Sequence, residues 1–319
     1  MMTKTFALRM AVLALTSSAA VMATTQTLPA QTLPERVGIT VGTLGNPFFV
    51  PLVKGAEDAV KAAAPDADVT VVSADYDLNK QSSQIDSFIA SGVTLLVLNA
   101  VDSEAVGPAA KRAKDAGMTV VAVDVTAAGA DLAVRTDNTQ AGRITCDYLA
   151  KAIDGKGDFI IINGPPVSSI IDRVTGCKEA LAAYPDINLL SDDQDGKASR
   201  DGGFQVMQGL LTRFPKIDAV FGANDPTAIG AELAAKQFNR TEMIIGGVDG
   251  SPDFVDALQK DGTLLVASAS QDPYGMSKQA AELGLKLMAG ETLPETDVLL
   301  QTELVTRDNA AGWTPWATQ

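Results

Sequence analysis

The chain alternates between short apolar runs rich in β-branched residues and longer segments in which apolar residues recur every three or four positions. Most of the short runs are continuously apolar, which is typical of parallel strands covered by helices on both faces. The pattern predicts strands at Val37–Val41, Val69–Ser73, Leu95–Ala100, Val120–Val123, Phe159–Asn163, Ile187–Leu190, Ala219–Gly222, Met243–Val248, Leu264–Ser268 and Val298–Leu304.

The segments between these runs have helical spacing. In Gln81–Ser91, the apolar residues Ile85, Phe88 and Ile89 fall on one helix face. The same spacing predicts helices at Ser103–Ala116, Gln140–Ile153, Arg200–Phe214, Pro226–Phe238 and Pro273–Ala289. Strands and helices that alternate in this way predict an α/β protein with doubly wound parallel sheets, and so many strands predict two lobes.

The amino-terminal segment has the pattern of a secretory signal peptide. Lys4 and Arg9 give it a positive start, an apolar stretch follows, and Val21 and Ala23 place small residues before a cleavage site. We therefore expect residues 1–23 to be removed on export and residues 24–35 to form a flexible lead-in. Because no second long apolar segment follows, we expect the exported chain to be soluble.

Composition excludes most catalytic chemistry. The 319 residues include no histidine and only two cysteines, which excludes Ser–His and Cys–His catalytic pairs, histidine-ligated metals and four-cysteine clusters. Since 39 Asp and Glu outnumber 25 Lys and Arg and no basic cluster stands out, we expect no nucleic-acid partner. Neither GxGxxG nor GxxxxGK[ST] occurs, which disfavours a nucleotide-dependent enzyme.

Of the two cysteines, Cys146 lies in the predicted helix Gln140–Ile153, and Cys177 lies in a further segment that we also interpret as helical. Export to an oxidising compartment makes a disulfide between them possible. The sequence does not show whether the two side chains approach each other, and we favour two buried, unreactive thiols.

Ligands of open parallel sheets bind beyond the carboxyl ends of the strands. The residues at these positions include Phe48, Phe49, Asp124, Asn224 and Asp249. Carboxylates and amides hydrogen-bond hydroxyl groups, and aromatic rings can cover the C–H faces of a sugar. Each residue alone also has a structural interpretation, as a core phenylalanine or as a helix cap. Together, on an exported chain without histidine, they favour binding over catalysis.

Several motifs carry a family resemblance. The run TLGNPFF at 43–49, DSEAV at 102–106 and VDGSP at 248–252 are similar to motifs of the ribose-binding-protein group of type I periplasmic binding proteins. Shorter matches are Asp137-Asn138, Asn224-Asp225 and Gln271-Asp272-Pro273. The motifs follow the family's order from about Val37 to Arg307, which is nearly the whole exported chain.

The resemblance implies two lobes joined by a three-segment hinge, with crossings near Thr136-Asp137, Gln271-Asp272 and Leu300-Gln301. The first lobe would comprise residues 36–136 and 272–300, and the second residues 137–271 and 301–319. In this family the lobes close on a sugar and deliver it to an ABC permease in the inner membrane. The resemblance therefore implies a periplasmic, non-enzymatic protein that binds a monosaccharide or sugar alcohol without a cofactor or metal, and we expect a monomer.

Carried over by position, the resemblance assigns ligand contacts to eight residues. Phe48 and Phe49 would face the sugar ring, and Arg173 matches the arginine of the family's Arg-x-x-Gly motif. The residues that would hydrogen-bond the hydroxyl groups are Asn46, Asp124, Arg173, Asn224, Asp249 and Gln271.

Two positions depart from the family's pattern and are further candidates for ligand contact. Val125 stands where the family usually has an arginine, and Ala198 stands where it tends to have an aromatic residue. The loss of an arginine leaves Asp124 and Asp249 with Arg173 alone. Two buried carboxylates that share one guanidinium destabilise the folded state unless another donor is present. The candidates for this second donor are Lys197, Arg200 and the ligand itself. We therefore expect a ligand other than ribose, with an apolar edge against Val125.

Other interpretations remain open on sequence. A sensor subunit for a chemoreceptor or histidine kinase would share the whole pattern. A repressor of the lactose-repressor type shares the two-lobe core, but a signal peptide occupies the place of its DNA-binding helices. An enzyme would have to use Asp124 and Asp249 as acid and base. The run Asp192–Gly196 is similar to part of a calcium loop but lacks the later glutamate, so we interpret it as a solvated acidic loop.

Overall fold

The computed structural model describes residues 33–316, and strands and helices alternate throughout them. The predicted signal peptide, and most of the predicted lead-in, lie outside the described residues. The first part of the chain contains strands β1 (Arg36–Val41), β2 (Asp68–Ser73), β3 (Leu95–Leu98), β4 (Thr119–Val123) and β5 (Leu132–Thr136), with helices α1 (Phe49–Ala63), α2 (Leu78–Ser91) and α3 (Gly107–Asp115) between them.

The same alternation continues to residue 312. The remaining strands are β6 (Lys156–Asn163), β7 (Asp186–Asp195), β8 (Ala219–Gly222), β9 (Ile244–Asp249), β10 (Leu265–Ser270), β11 (Asp297–Leu300) and β12 (Leu304–Thr306). The remaining helices are α4 (Asn138–Ala152), α5 (Ser168–Leu181), α6 (Arg200–Arg213), α7 (Asp225–Gln237), α8 (Pro252–Leu258), α9 (Pro273–Met288) and a short 3₁₀ helix at Ala310–Gly312.

The strands form two six-stranded sheets. The first has the order β11-β5-β4-β3-β1-β2 and is parallel throughout. The second has the order β12-β10-β9-β8-β6-β7, and there β12 runs antiparallel to β10. The chain passes between the sheets after β5, after β10, and between β11 and β12. This arrangement confirms the predicted class of two doubly wound lobes joined by three segments.

Each sheet is covered on both faces, as continuously apolar strands require. In the first lobe, Leu95 and Val97 pack with α1 and α9, while Leu96 and Leu98 pack with α2 and α3. In the second lobe, α6, α7 and α8 cover one face and α4 and α5 cover the other. Because adjacent residues of a strand point to opposite faces, one short apolar run contributes to the apolar layers on both faces of its sheet.

Two predictions about the strands are wrong. β5 is absent from the predicted set, because Leu132–Thr136 is short and its apolar run stops before Arg135. The run Val298–Leu304, predicted as one strand, contains β11 and β12, which belong to different sheets. The chain changes sheets at Thr302, whose hydroxyl donates to the carbonyl oxygen of Ser270 at 2.7 Å. Helix α8 is also absent from the predicted elements.

The cysteines are bonded to each other, so our expectation of two free thiols is wrong. Cys146 in α4 and Cys177 in α5 have Cα atoms 5.1 Å apart. These helices approach closely because glycines lie between them. A Cβ on Gly142 would be 1.9 Å from the carbonyl oxygen of Arg173, and one on Gly176 would be 2.0 Å from that of Thr139. The sequence spacing of the cysteines does not reveal this helix contact.

Within residues 33–316, no helix has both the length and the apolar character needed to cross a membrane.

Candidate functional site

A small polar cavity lies where the carboxyl ends of both sheets meet. The cavity has a volume of about 40 Å³. All ten residues selected from the sequence line it: Asn46, Phe48, Phe49, Asp124, Val125, Arg173, Ala198, Asn224, Asp249 and Gln271. Two arguments therefore select the same cavity: the rule that ligands bind beyond the carboxyl ends of parallel strands (the strand-end rule) and the family resemblance. Some of the residues that they select are more than 200 positions apart in sequence.

Asp124, directly after β4, contributes a carboxylate from the first lobe. Its backbone has φ 68°, a left-handed conformation that aspartate tolerates better than most residues. Nδ2 of Asn99 donates to its Oδ2 at 3.0 Å, and among the described residues no donor reaches Oδ1. Burial raises the pKa of Asp124 to about 6, while Arg173 and the Asn99 hydrogen bond oppose the rise and Asp249 adds to it.

Asp249, the last residue of β9, contributes a second carboxylate from the other lobe. Its Oδ1 accepts from Nε2 of Gln271 at 2.8 Å and from Nη1 of Arg173 at 3.3 Å. Burial raises the pKa of Asp249 to about 6, and the Arg173 charge and the Gln271 hydrogen bond limit the rise. Both carboxylates therefore ionise around neutral pH, where they can accept hydrogen bonds.

Among the residues that the structure describes, Arg173 is the one arginine that lines this cavity, and it is buried. Its Nε donates to Oδ1 of Asn138 at 2.8 Å, and Nη1 donates to the carbonyl oxygen of Ala223 at 2.9 Å as well as to Asp249. Within the described part of the chain, Nη2 donates to no protein acceptor. That nitrogen therefore keeps its donor capacity.

A third buried carboxyl, that of Asp225, lies behind Asp249. Its Oδ1 accepts from Oγ of Ser268 at 2.6 Å, and its Oδ2 accepts from the backbone N–H of Ser251 at 2.7 Å. Burial, together with the negative charge of Asp249, raises the pKa of Asp225 to about 8. Asp225 is therefore mostly protonated at neutral pH. It does not line the cavity, and the sequence analysis did not select it.

Asn224 and Asn46 also have the structural roles that the sequence left open. Oδ1 of Asn224 accepts from the backbone N–H of Thr227 and caps α7, while its Nδ2 donates to the carbonyl oxygen of Ala198. Oδ1 of Asn46 accepts from the backbone N–H of Phe48 at 3.0 Å. Each asparagine is thus held in place by its neighbours while it lines the cavity.

Two phenylalanines form the aromatic wall at the start of α1. The rings of Phe48 and Phe49 meet edge to face, with centroids 5.5 Å apart, and both are buried. Their other faces join the first lobe's apolar core. The core interpretation of these residues is therefore confirmed, and the same two residues also line the cavity.

Val125 and Ala198 give the cavity two apolar positions. Val125 is buried and packs across the cleft with Val167 and Ile170 of the second lobe. Neither cation considered as a second donor lines this cavity: Lys197 is exposed, and Arg200 pairs with Asp253 at the surface. The additional donors to the carboxylates are the side-chain amides of Asn99 and Gln271.

Tyr76 is a cavity residue that the sequence analysis missed. It follows β2, so the strand-end rule applied to that strand would have found it. Its ring lies against Gly42, where a Cβ would be 2.8 Å from Cε1 of Tyr76. Burial and the nearby carboxylates of Asp124 and Asp249 raise the pKa of Tyr76, so its hydroxyl remains a donor at neutral pH.

Among residues 33–316, no group of three or more Cys, Asp or Glu side chains is arranged to hold a metal ion. The run Asp192–Gly196, interpreted from the sequence as a loop, instead continues strand β7 as far as Asp195, so that interpretation is wrong; Asp192 pairs with Lys178.

These features define a cleft-type binding protein: two doubly wound lobes enclose a cavity of fixed donors, acceptors and aromatic rings. The comparisons with known proteins agree. The chain belongs to the periplasmic binding protein family, whose domain model matches residues 37–292. Its members bind and transport substrates, and the chain is accordingly a substrate-binding protein and not an enzyme.

The relatives have similar length as well as similar sequence. The ribose import binding protein of Salmonella typhimurium is 32% identical over 260 residues, which cover 81% of this chain and 86% of that protein. The xylitol-binding protein of Mycolicibacterium smegmatis is 32% identical over 279 residues, 86% of this chain and 78% of that protein. A solved ABC transporter solute binding protein from Mycobacterium smegmatis, with bound glycerol, superposes with a TM-score of 0.81 at 29% identity, covering 89% of this chain and 99% of that one.

Proposed function

We propose that this protein captures an uncharged monosaccharide or sugar alcohol between its two lobes and delivers it to an ABC permease in the inner membrane. The observation that carries the proposal is the set formed by Asp124, Asp249 and Arg173 in one small cavity beside an aromatic wall. Carboxylates accept hydrogen bonds from hydroxyl groups, and the guanidinium donates to hydroxyl oxygens.

Charge in the cavity favours a neutral ligand. At neutral pH, Asp124 and Asp249 are largely ionised and Arg173 is positive, whereas Asp225 is mostly protonated. The cavity is then slightly negative, which disfavours sugar phosphates and sugar acids. A polyhydroxylated ligand is different, because each hydroxyl can donate to a carboxylate oxygen without adding charge.

The ligand's shape follows from the apolar positions. Val125 is buried in the cavity wall and cannot hydrogen-bond a hydroxyl group. A hydroxyl placed against it would lose its partners in water without replacement. We therefore propose a pentose, hexose or polyol that turns a C–H or deoxy edge toward Val125, and we expect another ligand to bind more tightly than ribose.

The relatives support the transport role over a sensor role. Two of them are named as a ribose import binding protein and a D-apiose import binding protein. We propose that residues 1–23 direct this chain to the periplasm and are removed. There it acts as a monomer without a nucleic-acid partner, with lobes of residues 36–136 plus 272–300 and residues 137–271 plus 301–319.

A sugar panel tests the proposal. Residues 24–319 are titrated by calorimetry with pentoses, hexoses, hexitols and inositols, with the corresponding sugar phosphates and sugar acids as controls. We expect one neutral compound to bind at one molecule per chain, and mass spectrometry to recover it unchanged. Binding of the charged compounds alone, or conversion of the sugar, would contradict the proposal. If ribose bound most tightly, the argument from Val125 would be wrong.

A further inference from the structure

Trp316 contacts both lobes beside the cavity. Its indole Nε1 donates to the backbone carbonyl oxygen of Asp249 at 3.0 Å. Its ring meets that of Phe48 edge to face, with centroids 5.8 Å apart and planes at 81°. Although it lies near the carboxyl end of the chain, Trp316 is only 6% exposed. The side chain is therefore an integral part of the cleft.

The backbone that leads to Trp316 is attached to the second lobe. β12 pairs with β10, the 3₁₀ helix at Ala310–Gly312 contacts α8, and Trp313 packs against the second lobe's apolar core. Phe48, in contrast, directly precedes α1 of the first lobe. The hydrogen bond of Trp316 to Asp249 therefore stays within the second lobe, whereas its ring contact with Phe48 joins the second lobe to the first.

Both partners of Trp316 line the polar cavity. Trp316 itself lines a larger cavity next to the polar one, with a volume of about 570 Å³. The two cavities share Asn46, Tyr76 and Ala198. Trp316 thus lies where the two cavities adjoin, in contact with one residue of each lobe that lines the polar cavity.

The conformation of Trp316 is one that its contacts must hold. Its φ of 39° lies in the left-handed region, which a bulky residue rarely adopts. Such a conformation persists where the surrounding contacts compensate for its cost. Here the compensating contacts are those with Asp249 and Phe48.

We propose that Trp316 is a positioning residue that clasps the closed cleft: the second lobe carries it, and it docks on Phe48 when the lobes close on a ligand. This inference rests on the proposed function, because it needs a ligand that closes the lobes. The clasp slows ligand release, since opening must break the Phe48 contact. It does not select among sugars, because Trp316 does not line the polar cavity.

Fluorescence tests the docking directly, because the chain has only two tryptophans. In a Trp313→Phe variant, Trp316 is the sole reporter. We expect its emission to move to shorter wavelength when the best-binding sugar of the panel is added, as the ring leaves water and packs on Phe48. The matched Trp316→Phe variant, which keeps Trp313 in the second lobe's core, should show no such shift.

Stopped-flow binding tests the clasp. We expect Trp316→Ala to raise Kd about 3- to 10-fold, the range of one aromatic pair, through faster dissociation and with the ranking of sugars unchanged. Trp316→Phe, which keeps an aromatic edge but lacks the N–H donor, should lie between this variant and the wild type. Trp313→Ala should lower resistance to urea but leave Kd unchanged.

The outcomes separate the two claims. If the wild type binds a sugar and Trp316 reports no change in emission, or if Trp316→Ala binds as tightly as the wild type, the clasp is wrong and the proposed function stands. If the wild type binds no compound of the panel by calorimetry, the proposed function fails and the clasp fails with it.

Discussion

Oγ1 of Thr136 donates a hydrogen bond of 2.8 Å to Oε1 of Gln271, and this bond joins two of the segments that connect the lobes. Thr136 ends β5 of the first sheet, and Gln271 follows β10 of the second. Nε2 of the same amide donates to Oδ1 of Asp249 at 2.8 Å. Gln271 therefore links the connection between the lobes to a carboxylate of the cavity, with both halves of its amide in use.

The first prediction separates these two roles. Gln271→Leu removes both hydrogen bonds, whereas Thr136→Val removes only the one between the segments and keeps the shape. Calorimetry with the best-binding sugar should give a Kd raised about 10- to 100-fold for Gln271→Leu and less than about 5-fold for Thr136→Val. Equal losses in the two variants would show that the bond to Asp249 does not support binding.

The second prediction concerns Arg173, the cation between buried acids. Arg173→Met leaves Asp124 and Asp249 without their guanidinium, and breaking a buried ion pair from one side costs about 3–5 kcal/mol. Urea unfolding at pH 7 should show a loss of that size. Arg112→Met is the control, since Arg112 pairs with Asp86 at the surface and such pairs contribute about 1 kcal/mol or less. Similar losses in both variants would contradict the importance assigned to Arg173.

The alternation of strands and helices was predictable because most of the strands are short, continuously apolar runs. The strand-end rule then locates the cavity without coordinates, as Asp124, Asn224 and Asp249 show. Contacts between elements that are distant in sequence were not predictable. The pairing of Cys146 with Cys177 depends on close-packed glycines, and the division of 298–304 between two sheets depends on which edge the chain meets.

Two of the residues that the sequence analysis missed, Asp225 and Trp316, were missed for the same reason. Asp225 looks like an ordinary residue at the start of a helix, and only the fold places it behind Asp249 with Ser268 as a donor. Trp316 lies beyond the last matching motif, so no pattern connects it to Phe48. Both are supporting residues whose partners are distant in sequence, and one sequence alone does not reveal such pairs.

The third prediction is a dependence of stability on pH. Folding raises the pKa of Asp124 and Asp249 to about 6 and that of Asp225 to about 8, from an ordinary value of 3.8. The folded chain therefore holds protons that the unfolded chain has released, so the free energy of unfolding of the ligand-free protein should fall as pH rises from about 4 to about 8.

The matched variant for this experiment is Asp225→Asn, which can keep partners for both Ser268 and Ser251. It should lack the part of the decline that lies between pH 6 and 8, measured by urea unfolding at a series of pH values. Sugar affinity, in contrast, should fall as pH falls below 6, because protonated Asp124 and Asp249 accept fewer hydrogen bonds from hydroxyl groups. Stability that rose from pH 4 to 8 would contradict the burial of these carboxyls.

The fourth prediction concerns the disulfide. Cys146 and Cys177 are 31 positions apart, and closing a loop of that length stabilises the folded state by about 3–4 kcal/mol in the chain-entropy model. The double variant Cys146→Ser, Cys177→Ser should lose that much by urea unfolding, and reductant should lower the wild type equally. Kd should not change, because neither cysteine lines the cavity. A sugar affinity that depends on the disulfide would contradict this separation.

Small-angle X-ray scattering by the exported chain, with and without its best-binding sugar, tests most directly whether the lobes close on a neutral ligand. The account predicts that the radius of gyration falls on saturation and that the saturated curve matches the one calculated from this structure. A radius of gyration that no sugar or polyol changes would contradict it.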